Sequence, residues 1–226
     1  MNPEELIKTA PALTKGATAL GVAIPFTSVV KRMLGPAADE VAEMMRDQVR
    51  MYRYGRQLVC VQKAARMAEE AGFQPSTVPP KILFPLLEGV SYEEDEDMHT
   101  MWSALLANAA NPFSSEQVRP AFIALLKQMS PDEAHLLNWF YAEVKTRQEA
   151  IPRLSAEFKF DELSAAYSSL QNAPLGDSFV ICLSNLEASD LIARLDHKVN
   201  AEILPRYVSR ARGTAFYRAC EPPKPK

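Results

Sequence analysis

Prolines at the heads of apolar runs of helical period narrow the fold of this chain more than any other feature. Pro36, Pro120 and Pro131 each open such a run. A proline in the first helical turn lacks an N–H that would have no partner there, and its fixed φ already suits the helix. The clearest start is Ser130-Pro131-Asp132-Glu133. Its serine hydroxyl and its glutamate carboxylate are spaced to exchange bonds with each other's backbone N–H. Seventeen Pro against eight Gly therefore predict several helices with firm ends.

Between those starts the pattern is mostly helical. From Gly35-Pro36, Val41, Met44, Met45, Val49 and Tyr52 form one stripe, which resumes after Gly55 with Leu58, Val59, Val61, Ala65, Met67 and Ala68 and stops at Gly72. One long helix or two stacked ones fit this run, and its methionines fit a core. Residues 73–81 read as a loop, and Ile82–Glu88 as a short helix despite Pro85. Ser91-Tyr92-Glu93-Glu94 has the spacing of a capping box. The helix it opens carries Met98, Met101, Trp102, Leu105 and Leu106 and ends near Asn111-Pro112. Phe122, Leu125, Leu126 and Met129 follow Pro120, and Ala134, Leu137, Trp139, Phe140 and Tyr141 follow Pro131. Further on, 178–195 reads as one leucine-rich helix. The alternation of Tyr207 to Arg212 fits a strand, and Thr214 fits the cap of a last short helix. Two helices, a leucine-rich helix, a basic strand and a closing helix form the order of a winged-helix unit. The expected fold is thus mainly α. It has an apolar helical extension over 1–34, a helical body over 35–129, a winged-helix-like unit with few short strands over 130–220, and a disordered tail over 221–226.

Charge separates the chain into two parts. From Leu191 onward eight Lys and Arg face three Asp and Glu, a balance of +5, which leaves −8 for the rest of a chain of net charge −3. Arg194, Arg206, Arg210, Arg212 and Arg218 are the candidate phosphate contacts if this basic third meets a nucleic acid. The bland reading is that the two parts neutralise each other within the fold. Cys60, Cys182 and Cys220 are odd in number and far apart, which fits a reducing cytoplasm better than a disulfide scaffold. The apolar segment Ala17 to Val30 spans about 21 Å as a helix, short of the roughly 30 Å membrane core. Core is its simplest reading, with contact to a membrane surface or a partner left open. MNPEELIK at the start has no secretory pattern. Asp95, Asp97 and His99 are close in sequence, but residues two apart on a helix point to different faces, so capping suits them better than metal binding. His135 and His197 have no partner pattern. No Gly-rich phosphate loop and no paired nucleophile and base stand out, so no catalytic residue, metal, cofactor or small-molecule substrate is expected.

Three stretches in order resemble one bacterial family: GPAADEVAEMMRDQVRMYRYGRQLVCVQKA, then VPPKILFPLLEGVSYEEDEDMHTMWSALLANAANP, then RPAFIALLKQMSPDEAHLL. RGTAFYRAC resembles its closing segment. This is the Abi-alpha, or abortive infection alpha, family. The resemblance implies a mainly helical protein tied to anti-phage abortive infection and carries no catalytic residues with it. The leading expectation is a non-enzymatic, cytoplasmic defence or interaction protein with a protein partner or a second copy of itself. The alternative is a winged-helix regulator that binds nucleic acid through the five arginines.

Overall fold

A computed structural model describes residues 48–113, 118–150, 156–171, 176–199 and 202–225. The expectations for 1–34, for the apolar segment 17–30 and for the helix start at Gly35-Pro36 lie outside the described residues. The fold is mainly α, with eight helices and one three-stranded antiparallel sheet among the described residues. The chain divides into two compact units, Met1–Lys127 with Ala219–Lys226, and Gln128–Arg218.

In the first unit, α1 (Gln48–Glu70) runs unbroken through Gly55 and buries Cys60, Val61, Ala64 and Ala68. It ends as the sequence suggests. Gly72 adopts φ +75°, Gly72 N–H donates to Glu69 O at 3.0 Å, and Phe73 N–H donates to Ala68 O at 3.1 Å. This is the doubly bonded left-handed ending that a glycine makes easy, and Phe73 closes it by packing on Ala68 and Ala71. The next helix, α2 (Pro80–Val90), buries Ile82, Leu83, Leu86, Leu87 and Val90. It tolerates Pro85 inside. Next, α3 (Glu96–Ala109) is buried almost all round, with Met98, His99 and every residue from Met101 to Ala109 inside. Such a helix must be central rather than amphipathic. Trp102, 1% exposed, is its anchor and lies against Gly89 of α2. Last in this part is α4 (Pro120–Gln128), which buries Phe122, Ile123, Leu125 and Leu126. Asn108 Nδ2 donates to the carbonyls of Ala219 and Glu221, at 2.9 and 2.8 Å, and so ties the C-terminal segment to this unit.

One expected start here is corrected. Ser91 does not open α3; it closes α2, with its hydroxyl donating back to Glu88 O at 2.7 Å. The cap of α3 is Asp95, whose Oδ1 accepts from the N–H groups of Asp97 and Met98. Both residues suit a cap chemically, and the aspartate sits where the chain turns.

The second unit opens with α5 (Pro131–Ala150). The expected capping box is present: Ser130 N–H donates to Glu133 Oε2 at 2.9 Å and Glu133 N–H donates to Ser130 Oγ at 3.3 Å. There follow β1 (Glu157–Lys159), α6 (Phe160–Gln171), α7 (Asp177–Ala188), β2 (Ile192–Val199), β3 (Glu202–Ser209) and α8 (Ala211–Cys220). The sheet order is β1-β3-β2, all antiparallel, with Phe158 opposite Tyr207 and Arg194 opposite Tyr207 on the other side. Its core is aromatic: Phe158 lies 4.6 Å from Phe140 between ring centroids, and Phe179 lies 5.2 Å from Phe160 and 5.3 Å from Tyr167.

Three readings of this unit are corrected. The single helix over 178–195 is a helix and a strand. Asp190 takes φ 55°, with its N–H on Glu187 O and the Leu191 N–H on Leu186 O. That is the same left-handed ending as at Gly72, built on an aspartate. Residues 196–199 and 202–206, which lie between the expected helix and the expected strand, belong to the paired strands β2 and β3. Pro205 lies within β3, where β1 has already ended opposite Arg206, so at that position β3 has a neighbour on one side only. Finally, β3 stops at Ser209 and α8 begins at Ala211, so Arg210 and Arg212 are not strand residues sharing a face. Thr214 lies inside α8, its hydroxyl donating to Arg210 O at 3.0 Å, and does not cap it.

Candidate functional site

The five arginines of the basic third come from three kinds of backbone. Arg194 is on β2 and Arg206 on β3; Arg210 is the joint before α8; Arg212 and Arg218 are exposed on α8. Two of them have acidic neighbours. Arg194 Nε donates to Asp196 Oδ1 at 2.8 Å, and Arg210 Nε lies 3.3 Å from Asp190 Oδ1. Arg206 shares a row across the sheet with Lys159 and Leu195. Over Gln128–Arg218 ten Lys and Arg meet twelve Asp and Glu, a net charge of −2. The surplus over Leu191–Arg218, six Lys and Arg against two Asp and Glu, is thus outweighed by the acids of the same unit.

A different face stands out on α7. Hydrogen bonds at the head of α5 help to hold the neighbouring helices: Asn185 Nδ2 donates to Glu133 Oε1 at 2.6 Å, and Tyr167 Oη donates to Asp132 Oδ2 at 2.8 Å. Burial, with Asp132 beside it, pushes the Tyr167 hydroxyl up to about 12. Phe179, Cys182, Leu183 and Leu186 point inward. That leaves Val180 and Ile181 outward, 54% and 57% exposed. No Lys or Arg lies anywhere on this helix, while Asp177 and Glu187 do. Beside it, the β2–β3 hairpin exposes Leu195, Ile203 and Leu204. Sequence reading passed over this face because Val180 and Ile181 sit inside an apolar run. The clue was that both fall off the inward stripe set by Phe179, Leu183 and Leu186.

Groups with reactive potential are turned to structural tasks. Burial pushes Cys60 and Cys182 up to about 12 and raises Cys220 further. All three are free thiols, buried and held protonated. His99 is fully buried, and its Nε2 donates to Arg56 O at 3.1 Å. Asp95 caps α3, while His99 faces Arg56 O of α1. No helix among the described residues is long and apolar enough to cross a membrane.

The family model described as abortive infection alpha matches residues 55–220. That span covers most of the chain, which therefore belongs to this family. No curated protein and no solved structure matches it.

Proposed function

We propose that this member of the abortive infection alpha family is a non-enzymatic component of an abortive-infection response, cytoplasmic and anti-phage, and that its second unit is a winged-helix-like module that binds protein. The carrying observation is the surface of α7. The order α5, β1, α6, α7 and hairpin makes α7 the helix that a winged-helix unit presents to its partner. Reading a duplex requires cations near phosphates and polar forks at base edges. This helix instead offers Val180, Ile181, Asp177 and Glu187, an apolar patch edged by acids. Such a patch suits a protein surface and repels a polyanion. The scattered and partly neutralised arginines support the same reading.

The test is direct. Purified protein is titrated with duplex and single-stranded nucleic acid at about 50 mM salt, where phosphate contacts are strong. No saturable binding is expected. Binding that weakens steeply with salt, and that Arg206→Ala with Arg212→Ala reduces, would establish the nucleic-acid alternative instead. In a bacterial host challenged with phage, Ile181→Asp is expected to abolish protection while leaving the protein folded; undiminished protection would remove α7 from the function.

A further inference from the structure

The apolar, acidic face of α7 has a counterpart within the same unit. Strand alternation and the register place Leu195, Arg206 and Lys159 in one row across the sheet, on the side away from buried Phe158 and Tyr207. Leu204, opposite His197, lies one step further along that same side. Leu195 and Leu204 are 41% and 40% exposed. They are diagonal neighbours, close enough to form one apolar patch. Lys159 and Arg206 flank it. Glu157 is the acid on that side, and His197 Nε2 lies 3.7 Å from its Oε2.

The two faces are complementary in both respects that decide an interface. Each has an apolar centre of two branched side chains. One centre is edged by Asp177 and Glu187 with no base on its helix, the other by Lys159 and Arg206. They belong to different elements of one unit, so a single copy offers both halves of a contact to its neighbours. We propose that a second copy of this chain is the occupant: α7 of one copy docks Val180 and Ile181 onto Leu195 and Leu204 of another copy's hairpin, with acids meeting bases at the rim. The proposal rests on reading this unit as a protein-binding module and names its partner. A contact that joins two unlike patches is heterologous, running head to tail from copy to copy, and it brings opposite rather than like charges together.

The experiment uses the full chain in sedimentation velocity over a wide concentration range. Wild type is expected to associate, and added salt is expected to weaken that association because the rim pairs are screened. Ile181→Asp and Leu204→Asp, each alone, are expected to be monomeric. Mixed in equal amounts they are expected to form a complex, because the first retains an intact hairpin and the second an intact α7. That rescue also shows that both variants are folded. Arg206→Glu is expected to weaken wild-type association about tenfold at low salt, a typical effect for a rim charge reversal. A monomeric wild type at every concentration overturns the proposal and leaves the protein-binding reading to another partner. Association that survives Leu204→Asp, or a mixture that stays monomeric, overturns the helix-to-hairpin contact. Salt-sensitive nucleic-acid binding, measured separately, is what would defeat the underlying reading.

Discussion

Trp102 and Gly89 should behave as one packing unit, which a double-mutant cycle can measure. A Cβ built on Gly89 would lie 2.4, 2.8 and 3.0 Å from three atoms of the Trp102 ring. Carbon atoms rest at about 3.5–4.0 Å, so the ring must move by roughly 1 Å to admit a methyl group. Trp102 is 1% exposed and sits on a helix buried all round, so it has little room to move. Gly89→Ala alone should therefore cost about 2–3 kcal/mol in overpacking. The better helix propensity of alanine offsets about 1 kcal/mol of this. The net loss should be about 1–2 kcal/mol. Trp102→Ala alone should cost about 3–5 kcal/mol, as large-to-small core changes do. In the double variant the clash is gone and the methyl group enters the void, so Gly89→Ala should become stabilising by about 1 kcal/mol. The expected coupling is about 2–3 kcal/mol in favour of the pair, read from urea unfolding of the four proteins. Effects that add to within about 0.5 kcal/mol, the usual result for independent sites, would refute this packing. A Trp102→Ala loss under about 1 kcal/mol would also show that Trp102 is not the anchor.

Other expectations follow from single contacts. Tyr141 Oη donates to Leu191 O at 2.5 Å and accepts from the Arg210 N–H at 3.3 Å, so Tyr141→Phe should cost about 1–3 kcal/mol by calorimetry. Asp190→Gly should raise the melting temperature, because it relieves a left-handed aspartate at a cost of only an exposed ion pair with Arg210; a gain of about 0.5–1 kcal/mol is expected. Burial lowers the pKa of His99 below 6.5 against its hydrogen bond to Arg56 O, which raises it; the charges of Arg56 and Lys63 of α1 add to the lowering, and Glu96 opposes it. The unfolded chain then binds the proton first, so stability is full above about pH 6.5 and falls as pH drops toward the folded pKa. Urea midpoints between about pH 7.5 and pH 5 should show this fall in wild type and a flatter profile in His99→Gln, which keeps a donor for Arg56 O. The Glu96 carboxyl, held down to about 2 by its bonds to Lys63 and Arg56, loses its contribution only below about pH 4.5 and so does not blur that window.

The parts of the fold that were legible in sequence share one property: their signal is local. The Ser130 to Glu133 box is complete within four residues, and both its bonds form. Gly72 ends α1 through its own φ. The apolar run of α3 marks it as buried at any register. What failed needed information from elsewhere in the chain. Ser91 and Asp95 are both good caps, and only the path of the chain between α2 and α3 decides that the aspartate opens the helix.

The same ending is visible when built on Gly72 in the first unit and invisible when built on Asp190 in the second, because aspartate adopts that conformation far less often than glycine. Without that ending, Ile192 to Leu195 read as helix, while the closing helix over AFYRAC keeps its place. Pro205 sits in β3, the middle strand of the sheet, where a proline is normally excluded; the short β1 is what makes it tolerable, and no local pattern reveals where β1 stops. The arginines were correctly located as a cluster in sequence, but their charge was weighed over the wrong residues. The stretch Leu191–Arg218, with six Lys and Arg against two Asp and Glu, is part of a unit of −2, since Asp132, Glu133, Glu157, Asp161, Glu162 and Asp177 come from earlier segments of the same unit. Once that unit is taken whole, its net charge gives no reason of its own to expect a polyanion partner. The informative residues become Val180 and Ile181, whose exposure has no structural use within their own helix.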